Sequence, residues 1–364
     1  MKREQWKKGL PARQKVADMK KTEFGNTASG KKAVLYTLEN ENGMRISVTD
    51  LGAALVNVIV KDKNGEEKDV VLGYDDAQGY EAGTSFLGAI VGRNANRIAD
   101  AAFELNGKRY ELAENENGNN LHSGPDFYNK RLWEVKKENS HSVTFALFSP
   151  DKDQGFPGDL RMEVTYTLTE DNEVKISYRG VTSEDTIINM TNHSYFNLNG
   201  EGMEDVTNHE VWIDADFVTK ISASLIPTGE KISVDGTPMD FREKKAIGCG
   251  IDEQDEQLSF GGGYDHNWCL NNRGKYKKVA EATSPVTGIT MEVFTDLPGM
   301  QMYTSNALEE SCGKGKKPYG KHAAVCFETQ YYPDAIHHEN FEAPICKTGE
   351  VYETTTSYRF TSER

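Results

Sequence analysis

The sequence predicts an all-β protein, a large antiparallel β-sandwich, and three observations carry that prediction. Apolar residues recur with period two rather than with the 3.6-residue period of a helix. The alternating runs are joined by turns rich in Gly, Asn and Asp. No βαβ pattern that would build a parallel sheet is apparent in the 364 residues. Strands that alternate in this way are half buried and leave one polar side on each sheet, which suits antiparallel sheets packed face to face.

Along the chain, residues 33–38 and 44–48 flank Asn42-Gly43, and residues 55–60 and 70–72 flank a loop containing Asn64-Gly65, so each pair spells a hairpin. Residues 76–82 fit a single turn of helix. In residues 103–112 the pair Asn106-Gly107 supplies the positive φ angles that a type I′ turn needs. Leu160, Met162, Val164, Tyr166 and Leu168 share one face of a strand, and Val174, Ile176 and Tyr178 follow a turn at Asp171-Asn172. The run Gly261-Gly262-Gly263 does not follow a strand and open a helix, and Gly313-Lys314-Gly315 lacks the order of a phosphate loop; both are expected as surface loops. No fixed-period repeat or Pro/Gly/Ser linker divides the pattern. One domain over residues 21–364, behind a basic tail of residues 1–20, is the expected organisation.

The chain carries 42 Lys+Arg against 57 Asp+Glu, a formal net charge of −15, which argues against a nucleic-acid footprint. Residues 1–23 run the other way, with eight basic and three acidic side chains, and read as a solvated, mobile tail. No stretch approaches the roughly 18 consecutive apolar residues of a membrane helix, and the first residues hold no apolar run for a signal peptide. A cytoplasmic protein without a membrane partner is expected. Cys249, Cys269, Cys312, Cys326 and Cys346 form no C-x-x-C pair, so reduced thiols that partly fill the core are expected rather than a disulfide framework or a zinc site.

Five segments concentrate polar groups in apolar surroundings, where such groups need partners. Residues 92–98 place Arg93 and Arg97 four apart, and Arg offers a planar donor fork suited to several oxygens. Residues 119–125 form a turn-rich loop around His122. Residues 187–198 run from an apolar strand into a polar and aromatic cluster centred on His193. Residues 263–268 combine Asp265, His266 and Trp268, and Glu328 directly follows the apolar run 323–327. A carboxylate in that position is a candidate base, because desolvation raises its proton affinity towards neutrality.

These residues resemble the aldose 1-epimerases, or galactose mutarotases, from about Lys21 to the C-terminus. The resemblance rests on residues 70–74, 92–98, 120–122, 192–198, 264–267, 297–306 and 327–330, which occur in family order. It implies a sandwich of the galactose mutarotase type, interconversion of the α and β anomers of free aldohexoses such as galactose and glucose, and no metal or organic cofactor. It places the catalytic base on Glu328 and the acid on His193, and sugar-binding positions on Asn96, Arg97, His122, Asp265 and Gln301; an aromatic such as Trp268 or Tyr195 is further expected to line the site. A carboxylate and a histidine suit an acid–base ring opening near neutral pH. Ser123-Gly124-Pro125 and Asp126-Phe127 depart from the common family pattern, which leaves loop shape and sugar preference open.

Alternatives from other classes are a non-catalytic sugar-binding module, a hexose-phosphate epimerase using Arg93 and Arg97, a glycoside hydrolase with Asp265 and Glu328 as its two carboxylates, and last a purely structural role, which would leave the polar segments unexplained. His337-His338 together with His193 suggest a metal-binding variant, against which stands the lack of a matching carboxylate in that stretch. A monomer or weak homodimer acting on small aldoses is the expected working form.

Overall fold

The computed structural model describes residues 19–203 and 205–362; most of the basic tail, residues 1–18, lies outside the described residues. Lys20 and Lys21, which add to the tail's charge, open the first strand, Lys20–Asn26. Three antiparallel sheets dominate: a five-stranded meander near the N-terminus, a nine-stranded sheet and a six-stranded sheet. Among the described residues only two α-helices occur, Ala77–Ala82 and Glu256–Gly261.

The alternation read from the sequence is what packs these sheets together. In the strand Leu160–Leu168 the five odd-spaced apolar side chains are buried, and its partner Glu173–Thr182 buries Val174, Ile176 and Tyr178. They meet Phe196, Trp268, Met300, Met302, Val325 and Phe327 of the six-stranded sheet and Leu38, Ile46, Val48 and Val58 of the meander in one core cluster. Burial at about 25 cal/mol per Å² of apolar surface makes this shared core the main favourable contribution to the fold.

The predicted turns form where positive φ is available. Asn106 and Gly107 sit at φ 53° and 73°, and Ala102–Leu105 pairs with Lys108–Glu111. Lys32–Glu39 pairs with Arg45–Thr49 as expected. The second hairpin differs: the partner of Leu55–Lys61 is Glu67–Asp69, earlier than residues 70–72, and Val71 instead bridges to Phe196. Asp76 caps the first helix by accepting a bond from the Gly79 N–H, and Asp255 caps the second.

Two expected surface loops prove to be structural. Gly261 ends the second helix, with Gly262 in the left-handed conformation as its C-cap. Lys314 is buried, and its ammonium group lies 2.8 Å from Asp69, tying the segment around residue 314 to the meander. All five cysteines are free; Cys269, Cys326 and Cys346 are buried, whereas Cys249 and Cys312 are exposed. Among the described residues no helix is long and apolar enough to cross a membrane.

Candidate active site

A cavity of about 370 Å³ is lined in part by strands of the six-stranded sheet, and most of the predicted site residues converge on it. The strand Val325–Gln330 supplies Glu328, the neighbouring edge strand Tyr195–Phe196 supplies Tyr195, and Asp265 begins the strand Asp265–Leu270. Loops supply Phe86, Asn96, Glu116 and His122, and the short strand Arg97–Ile98 supplies Arg97.

Local backbone pairing explains why His193 sits where it does. Its N–H donates to the Ala89 carbonyl and its own carbonyl accepts from the Gly88 N–H, both at 2.9 Å. Gly88 has φ 68°, and a Cβ there would stand 2.1 Å from the Leu55 carbonyl oxygen, so only glycine fits. Thr191–Asn192 pairs with Ile90–Val91 immediately before the histidine. In the same way Arg97–Ile98 pairs with Asn120–Leu121, which sets Arg97 beside His122.

Four non-glycine cavity residues hold left-handed backbone: Phe86 at φ 57°, Asn96 at 59°, His122 at 53° and Leu225 at 61°. Non-glycine residues reach that region at a cost of about 1–3 kcal/mol, a strain that clusters at functional sites. Asn96 and His122 stabilise each other there. The His122 N–H donates to the Asn96 carbonyl at 2.9 Å, and the Asn96 N–H donates to His122 Nδ1 at 3.0 Å. Burial, with His193 and Arg97 nearby, holds the His122 imidazole neutral well below its ordinary range. With Nδ1 accepting, the proton of that neutral ring resides on Nε2.

His193 and Glu328 form the centre. Nε2 of His193 lies 3.5 Å from a carboxylate oxygen of Glu328, and both side chains are almost fully buried. Phe86 and Tyr195 each stack against the imidazole, with interplanar angles of 24° and 22°. Burial, reinforced by Asp265, raises the proton affinity of Glu328 well above the usual carboxylate range, while Arg97 opposes the rise. Burial lowers His193 to about 4. Burial thus disfavours the charged form of each group, and the pair is set to hold a single proton that can pass between them through a bound molecule.

Ligand-capable atoms of His122, His193 and Glu328 lie within 4.8 Å of one another. The chemistry of the set points to hydroxyl groups rather than a cation, because His122 presents an N–H donor where a metal needs a lone pair. His337 and His338 do not join them. Contrary to the sequence reading, a carboxylate does accompany that pair: Asp334 lies 2.6 Å from His337 Nδ1 and 3.5 Å from His338 Nε2, away from the cavity lining.

Several sequence assignments change place. Gln301 does not line the cavity; its amide nitrogen donates to Asp265 at 2.7 Å, so it reaches the site through that carboxylate. Trp268 is fully buried in the core and donates to the Met239 carbonyl, leaving Tyr195, Phe86 and Tyr303 as the aromatics of the lining. Arg93 is fully buried and donates to Ser149 Oγ and to the carbonyls of Ser149, Pro150, Pro157 and Gly158. Arg97 is paired with Glu116, so the two arginines do not form a phosphate cradle. Sequence reasoning missed Phe86 and Glu116; Tyr303 and Asn306 lay inside the quoted segment 297–306 without being singled out.

Comparison with known proteins identifies relatives of the chain in sequence and in fold. Residues 34–359 match the family model described as Aldose 1-epimerase. The chain is 39% identical to the galactose mutarotase of Bos taurus over 338 residues, covering 93% of this chain and 97% of that protein. It is 37% identical to the aldose 1-epimerase of Escherichia coli K12, covering 90% and 95%. A solved aldose epimerase homologue from C. elegans superposes with a TM-score of 0.85 at 28% identity, covering 91% of this chain and 100% of that one. The galactose 1-epimerase of Lactobacillus acidophilus gives 0.83 at 25% identity, covering 95% and 99%.

Proposed function

The chain belongs to the aldose 1-epimerase family and interconverts the anomers of aldose sugars, and on that premise we propose that Glu328 is its catalytic base and His193 its catalytic acid. The observation that carries the assignment is the 3.5 Å approach of His193 Nε2 to Glu328 in a buried cavity. The hydroxyl O1 and the ring oxygen O5 of a pyranose are bonded to the same carbon, so the acid and the base that serve them must stand this close.

In the form of the pair that carries its one proton on His193, Glu328 takes the proton of the C1 hydroxyl while His193 gives one to O5 as the C1–O5 bond breaks, leaving the open-chain aldehyde. Rotation about C1–C2 turns the other face of the aldehyde to the O5 hydroxyl. His193 then recovers its proton, Glu328 returns one to O1, and the ring closes as the opposite anomer. Protons balance over the cycle and no electron is transferred. Arg97, His122 and Asp265 hold the remaining hydroxyls, with Asn96 fixing His122 and Gln301 fixing Asp265. Free aldohexoses such as galactose and glucose are the proposed substrates. The proposed working form is a cytoplasmic, single catalytic domain, monomeric or weakly dimeric, without a nucleic-acid or membrane partner; the acidic balance of the chain supports the nucleic-acid part of this.

Optical rotation of freshly dissolved α-D-galactose and α-D-glucose tests the assignment. Glu328→Gln and His193→Asn are each expected to lower turnover by about 10²–10⁴-fold with the unfolding midpoint retained. Wild-type turnover in either variant removes that residue from the mechanism.

A further inference from the structure

The strand that carries Glu328 also carries Cys326, two residues earlier and therefore on the same face of the sheet. Cys326 is fully buried, and its sulfur lies 3.6 Å from Nδ1 of His193. Glu328 approaches the other nitrogen of the same ring, Nε2, at 3.5 Å. One strand thus addresses both nitrogens of the imidazole. Its edge neighbour holds it in register, since Cys326 pairs with Tyr195, which stacks on the His193 ring.

We propose that Cys326 is a positioning residue for the reaction, its thiol engaging Nδ1 so that Nε2 of His193 stays aligned between Glu328 and the substrate. This rests on the reading of His193 as the acid. A thiol suits the place because it both donates and accepts weakly. While the ring is neutral, S–H donates to the Nδ1 lone pair and leaves the proton on Nε2. When the ring is an imidazolium, the sulfur accepts from Nδ1–H. A carboxylate there would hold the imidazolium firmly and make it a poorer acid; a hydrocarbon would leave Nδ1 without a partner in a buried site. Burial keeps the thiol protonated, well above its ordinary range. The other titratable groups that face His193 are Glu328, His122 and Tyr195.

Cys326→Ser and Cys326→Val separate hydrogen bonding from packing, because serine keeps a donor and acceptor at the position whereas valine fills the space without either. In the Val variant kcat is expected to fall about tenfold, the worth of one such hydrogen bond, with KM within about twofold of wild type. The Ser variant is expected to recover most of that loss. In the full-length protein with 15N-labelled histidine, the His193 nitrogen signals should show the proton on Nε2 in wild type and the Ser variant and a mixed tautomer in the Val variant. Wild-type kcat in the Val variant, or equal losses in Ser and Val with unchanged nitrogen signals, would overturn the proposal. His193→Asn keeps the two ideas apart: if it is inactive while Cys326→Val is fully active, only the positioning role fails.

Discussion

Arg97 reaches the cavity already held by Glu116: its Nε and Nη2 both donate to that carboxylate, each at 2.6 Å. The fork–fork geometry orients a guanidinium that is largely buried, and the hydrogen bonds it donates to Glu116 keep it charged although burial alone would lower its proton affinity. Glu116→Gln should therefore loosen Arg97 without touching the acid–base pair. KM for galactose is expected to rise about five- to tenfold, equivalent to losing one charge-assisted hydrogen bond, with kcat kept within about twofold. Polarimetric rates over a range of sugar concentrations read the two constants separately. An unchanged KM would mean that Glu116 does not support the sugar-binding position of Arg97.

The pH profile follows from the opposite shifts of the pair. Burial holds His193 at about 4 and Glu328 well above the usual carboxylate range, so between those values the pair retains one proton. Below about 4 both groups are protonated and no base remains; above the raised value of Glu328 no proton is left to donate. The rate of the free enzyme, kcat/KM, should stay level down to about pH 5 and then fall. Asp265→Asn removes the charge that helps to raise Glu328, so the high-pH limb should move to lower pH. The test is mutarotation against pH with the uncatalysed rate subtracted; an alkaline limb that stays in place in the variant assigns it to another group.

How much of this was legible in the sequence depends on whether the signal was local. The hairpin at Asn106-Gly107 and the strand Leu160–Leu168 follow from turn chemistry and period two, and both fold as read. The helix Glu256–Gly261 did not show, because six residues are too few for helical periodicity and its Asp255 cap sits in an acidic run. Glu328 and His193 are marked by their motifs, and the structure brings them together. Gln301 shows the limit: its cross-strand register with Glu328 makes it a neighbour of the site, but only the fold reveals that it faces Asp265 rather than the cavity. Phe86 carries no motif, since its role depends on a left-handed backbone that sequence spacing does not announce.

Arg93 separates stability from chemistry. Its guanidinium is fully buried and supplies donors to Ser149 Oγ and to four main-chain carbonyls across residues 149–158, while Ser149 Oγ donates onward to Asp153 at 2.6 Å. Arg93→Ala leaves those buried acceptors without partners and should destabilise the protein by about 3 kcal/mol or more. Arg93→Lys, lacking the planar fork, should restore less than half of that. Urea unfolding followed by tryptophan fluorescence measures both; a loss under about 1 kcal/mol in the Ala variant would show that water replaces the guanidinium at little cost.

His209 gives the fold a sensitivity to acid that is independent of the active site. The ring is fully buried, its Nε2 accepts the Leu198 N–H at 2.8 Å, and Nδ1 lies 2.9 Å from the Asn208 side-chain oxygen. Protonation would put a second donor against the Leu198 N–H, and burial lowers the group to about 3. The unfolded chain takes up this proton near 6.5 and the folded one resists it, so the contribution is complete above about pH 6.5 and is lost as pH falls towards 3. Its slope is about 1.4 kcal/mol per pH unit. Buried His122, His193 and His266 act in the same direction, whereas Asp50, raised to about 6 by burial, acts in the opposite one. His209→Gln isolates the one group, because the glutamine amide offers the same acceptor and donor and does not titrate. Unfolding free energies at pH 7, 6 and 5 should fall less steeply in that variant by one proton's worth. Parallel curves would mean that His209 takes up its proton in the folded state as readily as in the unfolded one, and that the Leu198 and Asn208 contacts do not hold it neutral.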